Sequence, residues 1–369
     1  MRTLRTFRLG RVEYEDGLSL MRVAGEAVRA GSPPATDYLF LLEHPPVVTL
    51  GRGADRRNIL AAPAWLERQG FEVHETDRGG DVTYHGPGQV VGYPVVDLSD
   101  RPDVRRYVAA LEEAMIRTCA DHGIESGRHP EHRGCWVGPR KIGAVGVHLS
   151  RWITSHGFAF NVRPDLGHFQ AIVPCGIAEP GLGVTSLEAE LIARGRPAPA
   201  TAEVEGALSG HVAEGLGREQ VPGAPDLRTV SVVPVSQDGR VLLLRRTQER
   251  GGFWQPITGR IEPGEAEEAA ALRELREETG LPGPVVPLGY RHAFALSPGV
   301  NRVRPGALVV AEEVAFAVVV AGTARPRLSE EHVEHAWCPA EQAVERVPFA
   351  GLRRAVRLAA SLTGRATPP

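Results

Sequence analysis

The chain predicts two mixed α/β (α+β) domains in series. Its 369 residues exceed what one ordinary hydrophobic core organises. Arg218–Asp226 (REQVPGAPD) is polar and rich in Pro and Gly, and it separates a helix-like stretch from a clear strand. On both sides of it, short apolar runs alternate with segments of helical period. The expected divisions are residues 1–217, a flexible linker 218–226, and a second domain 227–365.

In order along the first domain, Tyr38–Glu43, Pro46–Leu50, Val90–Asp97 and Ala144–Leu149 read as strands. Val104–His122 reads as an amphipathic helix, with Val108, Leu111, Met115 and Cys119 near helical spacing. Gly195–Ala200 reads as a loop and Thr201–Leu216 as a helix. The second domain opens with the strand Thr229–Val235, turns at Gln237-Asp238-Gly239 and returns as Arg240–Arg245. Helix Glu265–Thr279, with strong helix formers and no internal Gly or Pro, lies between the breaker Pro263-Gly264 and the stop Gly280. Strands around Ala307–Val320 and a closing helix Gly351–Leu362 complete it.

The composition, 42% hydrophobic and 24% charged, belongs to the soluble globular class. A formal net charge of −3 argues against a general nucleic-acid binder. Cys119, Cys135, Cys175 and Cys338 are scattered without a CxxC pair, which suits a reducing compartment. No apolar run approaches the roughly 18 residues needed to cross a membrane. The opening residues lack the apolar core of a signal peptide, so a cytoplasmic protein is expected.

Gly259–Leu281 (GRIEPGEAEEAAALRELREETGL) is the densest functional segment. Glu274, Glu277 and Glu278 fall at i, i+3 and i+4 and share one helix face. Like charges so placed repel, and a divalent cation removes the penalty, since carboxylate oxygens and phosphates are the ligands hard Mg²⁺ prefers. A generic Glu-rich helix would be a solvated face. Here the full pattern G-x5-E-x7-R-E-L-x-E-E-x-G-L is present. It resembles the Nudix box at every defined position. That resemblance implies an α/β/α sandwich and metal-assisted attack of water on a phosphoanhydride. It implies Gly259, Glu265, Arg273, Glu274, Glu277 and Glu278 as box residues, with Arg273 orienting the carboxylates and Gly259 offering its carbonyl. Glu274, Glu277 and Glu278 would be metal ligands or position the water, with Mg²⁺ as cofactor. Phe253–Gly259 (FWQPITG) and Glu330–Trp337 (EEHVEHAW) resemble the Nudix enzymes acting on dihydroneopterin triphosphate and deoxynucleoside triphosphates. Glu331 matches a late Glu that completes the metal site, and a nucleotide-like small molecule is the implied substrate. Trp254 reads equally as a core residue.

Upstream, Arg78–Gln89 (RGGDVTYHGPGQ) is a glycine-dense loop anchored on the strand that follows it. Gly138–His148 sets Lys141, one of very few Lys in an Arg-dominated chain, between glycines. A Lys can be tuned to act as a base, whereas an Arg cannot. Ile172–Ile177 (IVPCGI) presents Cys175 at an apparent turn, and a neighbouring ammonium would lower its thiol pKa. With Ser155–Val162 (SHGFAFNV) and Val184–Leu187 (VTSL) in that order, these segments resemble the octanoyltransferase of lipoate biosynthesis. The resemblance covers about residues 1–215 and implies the fold of the biotin and lipoate protein ligases.

That resemblance implies an acyl transfer in which Cys175 takes octanoyl from octanoyl-acyl carrier protein as a thioester. Lys141 lowers its pKa and shuttles protons, and a lipoyl-domain lysine then accepts the acyl group. The acceptors would be apo lipoyl domains of 2-oxoacid dehydrogenases and the glycine cleavage H protein. The first domain would need no metal or ATP, because a thioester is already activated. Arg78, Gly79, Gly80, Asp81, Val82, Thr83, Tyr84 and His85 would line the acyl site, as would Ala144, Val145, Gly146, Gly157, Phe158 and Ala159. The rival reading is an ATP-dependent lipoate ligase with a non-catalytic nucleotide-sensing Nudix module. His129–Cys135 (HPEHRGC) lacks a fourth zinc ligand nearby and reads as a loop.

Overall fold

The computed structural model describes residues 2–31, 35–177, 179–296, 303–322 and 324–363, and of Cys175 it describes the backbone. Two compact units emerge, residues 1–12 with 21–224 and residues 13–20 with 225 onward. Among the described residues no helix is long and apolar enough to cross a membrane. The expected outer bounds, residues 1 and 365, lie outside the described residues.

The chain begins β1 (Thr3–Arg11), α1 (Tyr14–Ala30, of which residues 14–20 count with the second unit), β2 (Thr36–Glu43), β3 (Val47–Leu50), α2 (Pro63–Arg68), β4 (Glu72–Glu75), β5 (Val82–His85) and β6 (Gln89–Val95). It continues through α3 (Val104–Asp121), β7 (Cys135–Val137), β8 (Arg140–Ser150), β9 (Ile153–Asn161), β10 (Gly183–Val184), α4 (Leu187–Ile192), α5 (Thr201–Leu216) and β11 (Glu219–Pro222). An eight-stranded sheet runs β10-β8-β9-β6-β2-β1-β11, with β7 added beside β8. A small sheet, β4-β3-β5, carries the glycine-rich loop. Tyr107, Leu111, Met115 and Cys119 of α3 and Val204, Leu208 and Val212 of α5 bury against the large sheet. The helical spacing seen in the sequence is thus the face that packs.

Sequence pattern missed α1, whose 17 residues include Gly17 and Gly25, both poor helix formers. The expected linker is also partly ordered. Glu219–Pro222 is β11, pairing in parallel with β1 from Thr3↔Glu219 to Thr6↔Pro222. Its edge position tolerates the Pro and Gly that read as coil.

The second unit contains β12 (Leu227–Ser236), β13 (Arg240–Arg246), β14 (Trp254–Gln255), β15 (Ile257–Arg260), α6 (Glu267–Thr279), β16 (Val286–Ala295), β17 (Val310–Val320), β18 (His332–Pro339), α7 (Ala340–Arg346) and α8 (Ala350–Ser361). Its sheet runs β14-β13-β12-β17-β16, with β15 on β12 and β18 on β13. Alternation along β12 sends Val230 and Val232 to one face, where Ala270, Ala271 and Leu275 of α6 pack. Val233 and Val235 go to the other, beneath Leu352, Ala355, Val356 and Ala359 of α8. This is the expected α/β/α sandwich. Helix α6 starts two residues later than the pattern predicts. Glu265 is held in the preceding turn, its backbone N–H donating to the Glu262 carbonyl at 3.0 Å. Trp254 is half-buried against the α8-side core, with the Arg346 guanidinium 5.4 Å from its ring centroid.

Candidate functional site

In the first unit one hydrogen-bond relay joins the motif segments. His85 Nδ1 donates to Gln89 Oε1 at 2.6 Å, and Gln89 Nε2 donates to Asn161 Oδ1 at 2.9 Å. Asn161 Nδ2 donates to the Thr185 carbonyl at 2.9 Å, and the Thr185 N–H donates to the Lys141 carbonyl at 3.0 Å. Thr185 Oγ1 donates to Glu190 Oε1 at 2.7 Å, which Arg140 also holds. From His85 to Glu190 the side chains of the relay are buried, with Arg140 exposed at its end, so each buried bond is needed to offset desolvation. Burial holds the His85 pKa down at about 3, so it is a neutral strut. Replacing Asn161 by Ala strands the Gln89 amide and the Thr185 carbonyl. A loss of about 1–3 kcal/mol is expected, read as a lower urea midpoint of the first unit's transition.

The glycine-rich loop is braced by its own arginine. Arg78 donates to the Thr49 carbonyl and hydroxyl at 2.7 and 2.8 Å and to the Asp81 carbonyl at 2.8 Å. Asp81 Oδ1 accepts from the N–H groups of Asp55 and Val82 at 3.0 and 2.7 Å. Its Oδ2 would lie 2.5 Å from a Cβ at Gly176, whose φ is +68°, so the residue after Cys175 has to be glycine for the turn to close on Asp81. The nucleophile candidate lies at the single turn Pro174–Gly176, tied back by the Val173 N–H to the Asn58 carbonyl at 2.7 Å. Eight residues past that turn, β10 pairs with the lysine strand, Val184 opposite Lys141.

Lys141 is the sequence's single lysine. It is buried, with its Nζ 5.5 Å from the Trp136 ring centroid. Register puts Ala144 opposite Ala159, Val145 opposite Phe158 and Gly146 opposite Gly157. Val145, Phe158 and Phe160 belong to the core beneath α3. The small residues Ala144, Gly146, Gly157 and Ala159 therefore share the opposite face. A Cβ on Gly146 would stand 3.1 Å from the Gly79 carbonyl, so the glycine-rich loop covers that face. This corrects the expectation for the side chains of Phe158, Val82 and Tyr84, which are core. Tyr84 further bonds His168 Nδ1 at 2.8 Å.

Two residues were not singled out from sequence. His156 Nε2 and Asp77 Oδ1 lie 2.7 Å apart, and His148 Nε2 is 3.5 Å from Asp77 Oδ2. His156 is buried with φ +56°, a strained value for a residue with a Cβ. That strain beside Gly157 was the available structural signal. Cys135 is buried against Ser126, while His129 and His132 stack on one another beside Trp136. His132 instead meets Glu179, Nε2 to Oε2 at 2.6 Å.

In the second unit a Cβ on Gly259 would fall 1.7 Å from Glu274 Cδ, so only glycine admits that carboxylate against β15. Arg273 is the organiser. It donates to both oxygens of Glu265 at 2.9 Å, to Glu274 Oε1 at 2.6 Å, to Glu277 Oε2 at 3.3 Å and to the Arg260 carbonyl at 2.8 Å. Its hydrogen bonds hold the Glu265 pKa down at about 2. Burial, then the charges of Glu277 and Glu331, raise Glu274. Burial, then the charge of Glu274, push Glu278 well above the usual carboxylate range. Glu331 is gripped by Arg246 at 2.8 Å and Arg250 at 2.9 Å. Glu278 Oε2 is buried without a hydrogen-bond partner, as are His332 Nε2 and Arg246 Nε. The buried Glu278 with its orphaned oxygen, beside the half-buried Glu274, fits a divalent cation, which supplies the missing charge. Glu274 and Glu278 face that position. Glu277 is largely exposed, and Glu331 is occupied by the arginine pair.

A model of the lipoyl protein ligase A/B catalytic domain matches residues 13–210, and one of the NUDIX domain matches residues 225–358. Fold and sites thus define an acyltransferase of the lipoyl-ligase type carrying a Nudix hydrolase domain, of a kind that generally uses a divalent metal. An octanoyltransferase of Myxococcus xanthus is 52% identical over 369 residues, 97% of this chain and 99% of that one. An octanoyltransferase of Solibacter usitatus is 55% identical over 183 residues, 49% of this chain and 81% of its own. The chain belongs to the octanoyltransferase family, and its likeness to the Myxococcus protein runs through both domains. Among solved structures, the Escherichia coli dihydroneopterin triphosphate pyrophosphohydrolase is 24% identical with a TM-score of 0.33, covering 35% of this chain and 92% of that one.

Proposed function

We propose that the first unit moves octanoyl from the thioester of octanoyl-acyl carrier protein to a lysine of apo lipoyl domains, through a thioester on Cys175. The carrying observation is the buried relay from His85 to the Lys141 carbonyl, which supports one continuous site built from segments far apart in sequence. In the proposed first step the Cys175 sulfur, freed of its proton, adds to the acyl carbonyl. The carrier's thiolate leaves and takes a proton from the Lys141 ammonium. In the second, the acceptor amine adds to the acyl-enzyme, its proton passes to Lys141, and the Cys175 thiolate departs. The face bearing Ala144, Gly146, Gly157 and Ala159, roofed by the glycine-rich loop, is the proposed wall of the acyl site. The natural acceptors are the lipoyl domains of 2-oxoacid dehydrogenases and the glycine cleavage H protein, and the setting is the cytoplasm.

The second unit hydrolyses a nucleoside-triphosphate-like phosphoanhydride with Mg²⁺. The orphaned Glu278 oxygen beside Glu274 supports this reading. When bound, the ion polarises phosphoryl oxygens and lowers the pKa of water. Arg273 keeps the carboxylates aimed at it, and Arg246 and Arg250 hold Glu331.

Octanoyl-acyl carrier protein and an apo lipoyl domain should react with the full chain in EDTA without ATP, giving a mass gain on the acceptor. A strict ATP requirement would instead establish the ligase. A panel of nucleoside triphosphates in Mg²⁺ should release pyrophosphate or phosphate. Tight nucleotide binding with no turnover would make the second unit a sensor.

A further inference from the structure

His332 opens β18, and its side chain is completely buried. Its Nδ1 lies 3.3 Å from Ser329 Oγ, and the Ser329 N–H in turn donates to the Glu278 carbonyl at 3.3 Å. That anchor turns the ring so that Nε2 is 3.9 Å from Glu278 Oε2. Neither atom has a hydrogen-bond partner, and both are shut off from solvent. Two facing, buried, unsatisfied polar atoms are costly unless something between them completes both. A proton shared directly would draw them to hydrogen-bond distance, well inside the separation seen. Two donors each about 2.1 Å from one metal ion stand about 3 Å apart when adjacent and about 4.2 Å apart when opposite. The observed 3.9 Å lies between those two values, so an ion binding here draws the pair into one arrangement or the other by a shift of about 0.3 to 0.9 Å. With Nδ1 carrying its proton towards Ser329, Nε2 presents a lone pair, and the second bond fixes the tautomer as in other metal-binding imidazoles.

We propose that His332 Nε2 is a nitrogen ligand of the Nudix metal centre, paired with Glu278, and that it tilts the centre towards later first-row divalent ions relative to Mg²⁺. The inference rests on the metal reading of the box given above. Imidazole suits ions such as Co²⁺ far better than Mg²⁺, which favours oxygen donors, so one nitrogen in an oxygen site changes selectivity.

The test uses chelator-treated full chain carrying His132→Ala, so that the exposed His132 and Glu179 pair binds no probe ion. Titration with CoCl₂ and with MgCl₂ gives the two affinities. The ¹H NMR spectrum of the Co²⁺ form reads the ligand directly, because the Nδ1 proton of a coordinated imidazole appears as a far-downfield exchangeable resonance. The expected result is that resonance, absent in His332→Gln. Co²⁺ affinity should fall at least about 10-fold in that variant, with Mg²⁺ affinity changed less than about 3-fold. Co²⁺ binding without the shifted resonance overturns the assignment even if the variant fails to fold. An unchanged Co²⁺ to Mg²⁺ ratio in a folded His332→Gln overturns it as well. Failure of the His132→Ala protein to bind either ion sinks the metal reading of the box together with this inference.

Discussion

Cys175→Ser is expected to abolish octanoyl transfer and the octanoyl adduct on the protein together, the rate falling at least about 10³-fold. Serine keeps size and hydrogen-bonding capacity, so the turn Pro174–Gly176, the tether from Val173 to Asn58 and the packing of Gly176 on Asp81 persist. What it loses is an accessible anion, because a thiol ionises near neutrality and an alcohol does not. Lys141→Arg separates charge from proton transfer. A guanidinium keeps the positive charge beside Trp136 and cannot give up its proton, so a drop of about 10²–10⁴-fold in transfer is expected. Intact-protein mass spectrometry after a brief pulse of octanoyl-acyl carrier protein distinguishes the two, showing no adduct for serine and slow formation for arginine. Full ATP-dependent ligation by Cys175→Ser would replace the thioester route with an adenylate.

The lysine shows what a single sequence gives away. Among 42 basic residues it is the one Lys, so wherever a fixed positive charge suffices this chain uses Arg. A site needing a proton carrier stands out against that background. The Nudix box was equally legible, because Glu274, Glu277 and Glu278 lie on one helix and Arg273 reaches Glu265, Glu274 and Glu277 within eight residues. Pairings across the sheet were not. His156 meets Asp77 across 79 positions, and Asn161 meets Gln89 across 72. Nor can a lone strand declare which face is core. Phe158 belongs to the core because α3 lies on its side of β9, while the alanines and glycines share the opposite face. Helix α1 was hidden by its internal glycines, and β11 by the Pro and Gly that suggested a linker.

Glu278→Gln is expected to make the metal-free protein more stable and the proposed hydrolase inactive. A carboxyl whose folded pKa lies above its unfolded value, near 4.5, is more protonated in the folded state. Its contribution therefore favours folding at low pH and turns unfavourable as pH rises from about 4.5 through the raised value. At pH 8 with chelator, the wild type must either bury a charge beside Glu274 with one oxygen unpaired or hold a proton that the unfolded chain releases, and both cost stability. Glutamine is isosteric and neutral, so the second unit's unfolding midpoint rises by the equivalent of about 1–3 kcal/mol, and the difference vanishes near pH 4. Added Mg²⁺ reverses the order. It stabilises the wild type by mass action and leaves the variant unmoved, while phosphoanhydride hydrolysis falls at least about 10²-fold. Thermal unfolding across pH with and without Mg²⁺ reads all three arms. A Gln variant less stable than wild type in chelator at pH 8 would mean that Glu278 is held by an uncounted partner, and the metal-shaped gap beside it would not exist.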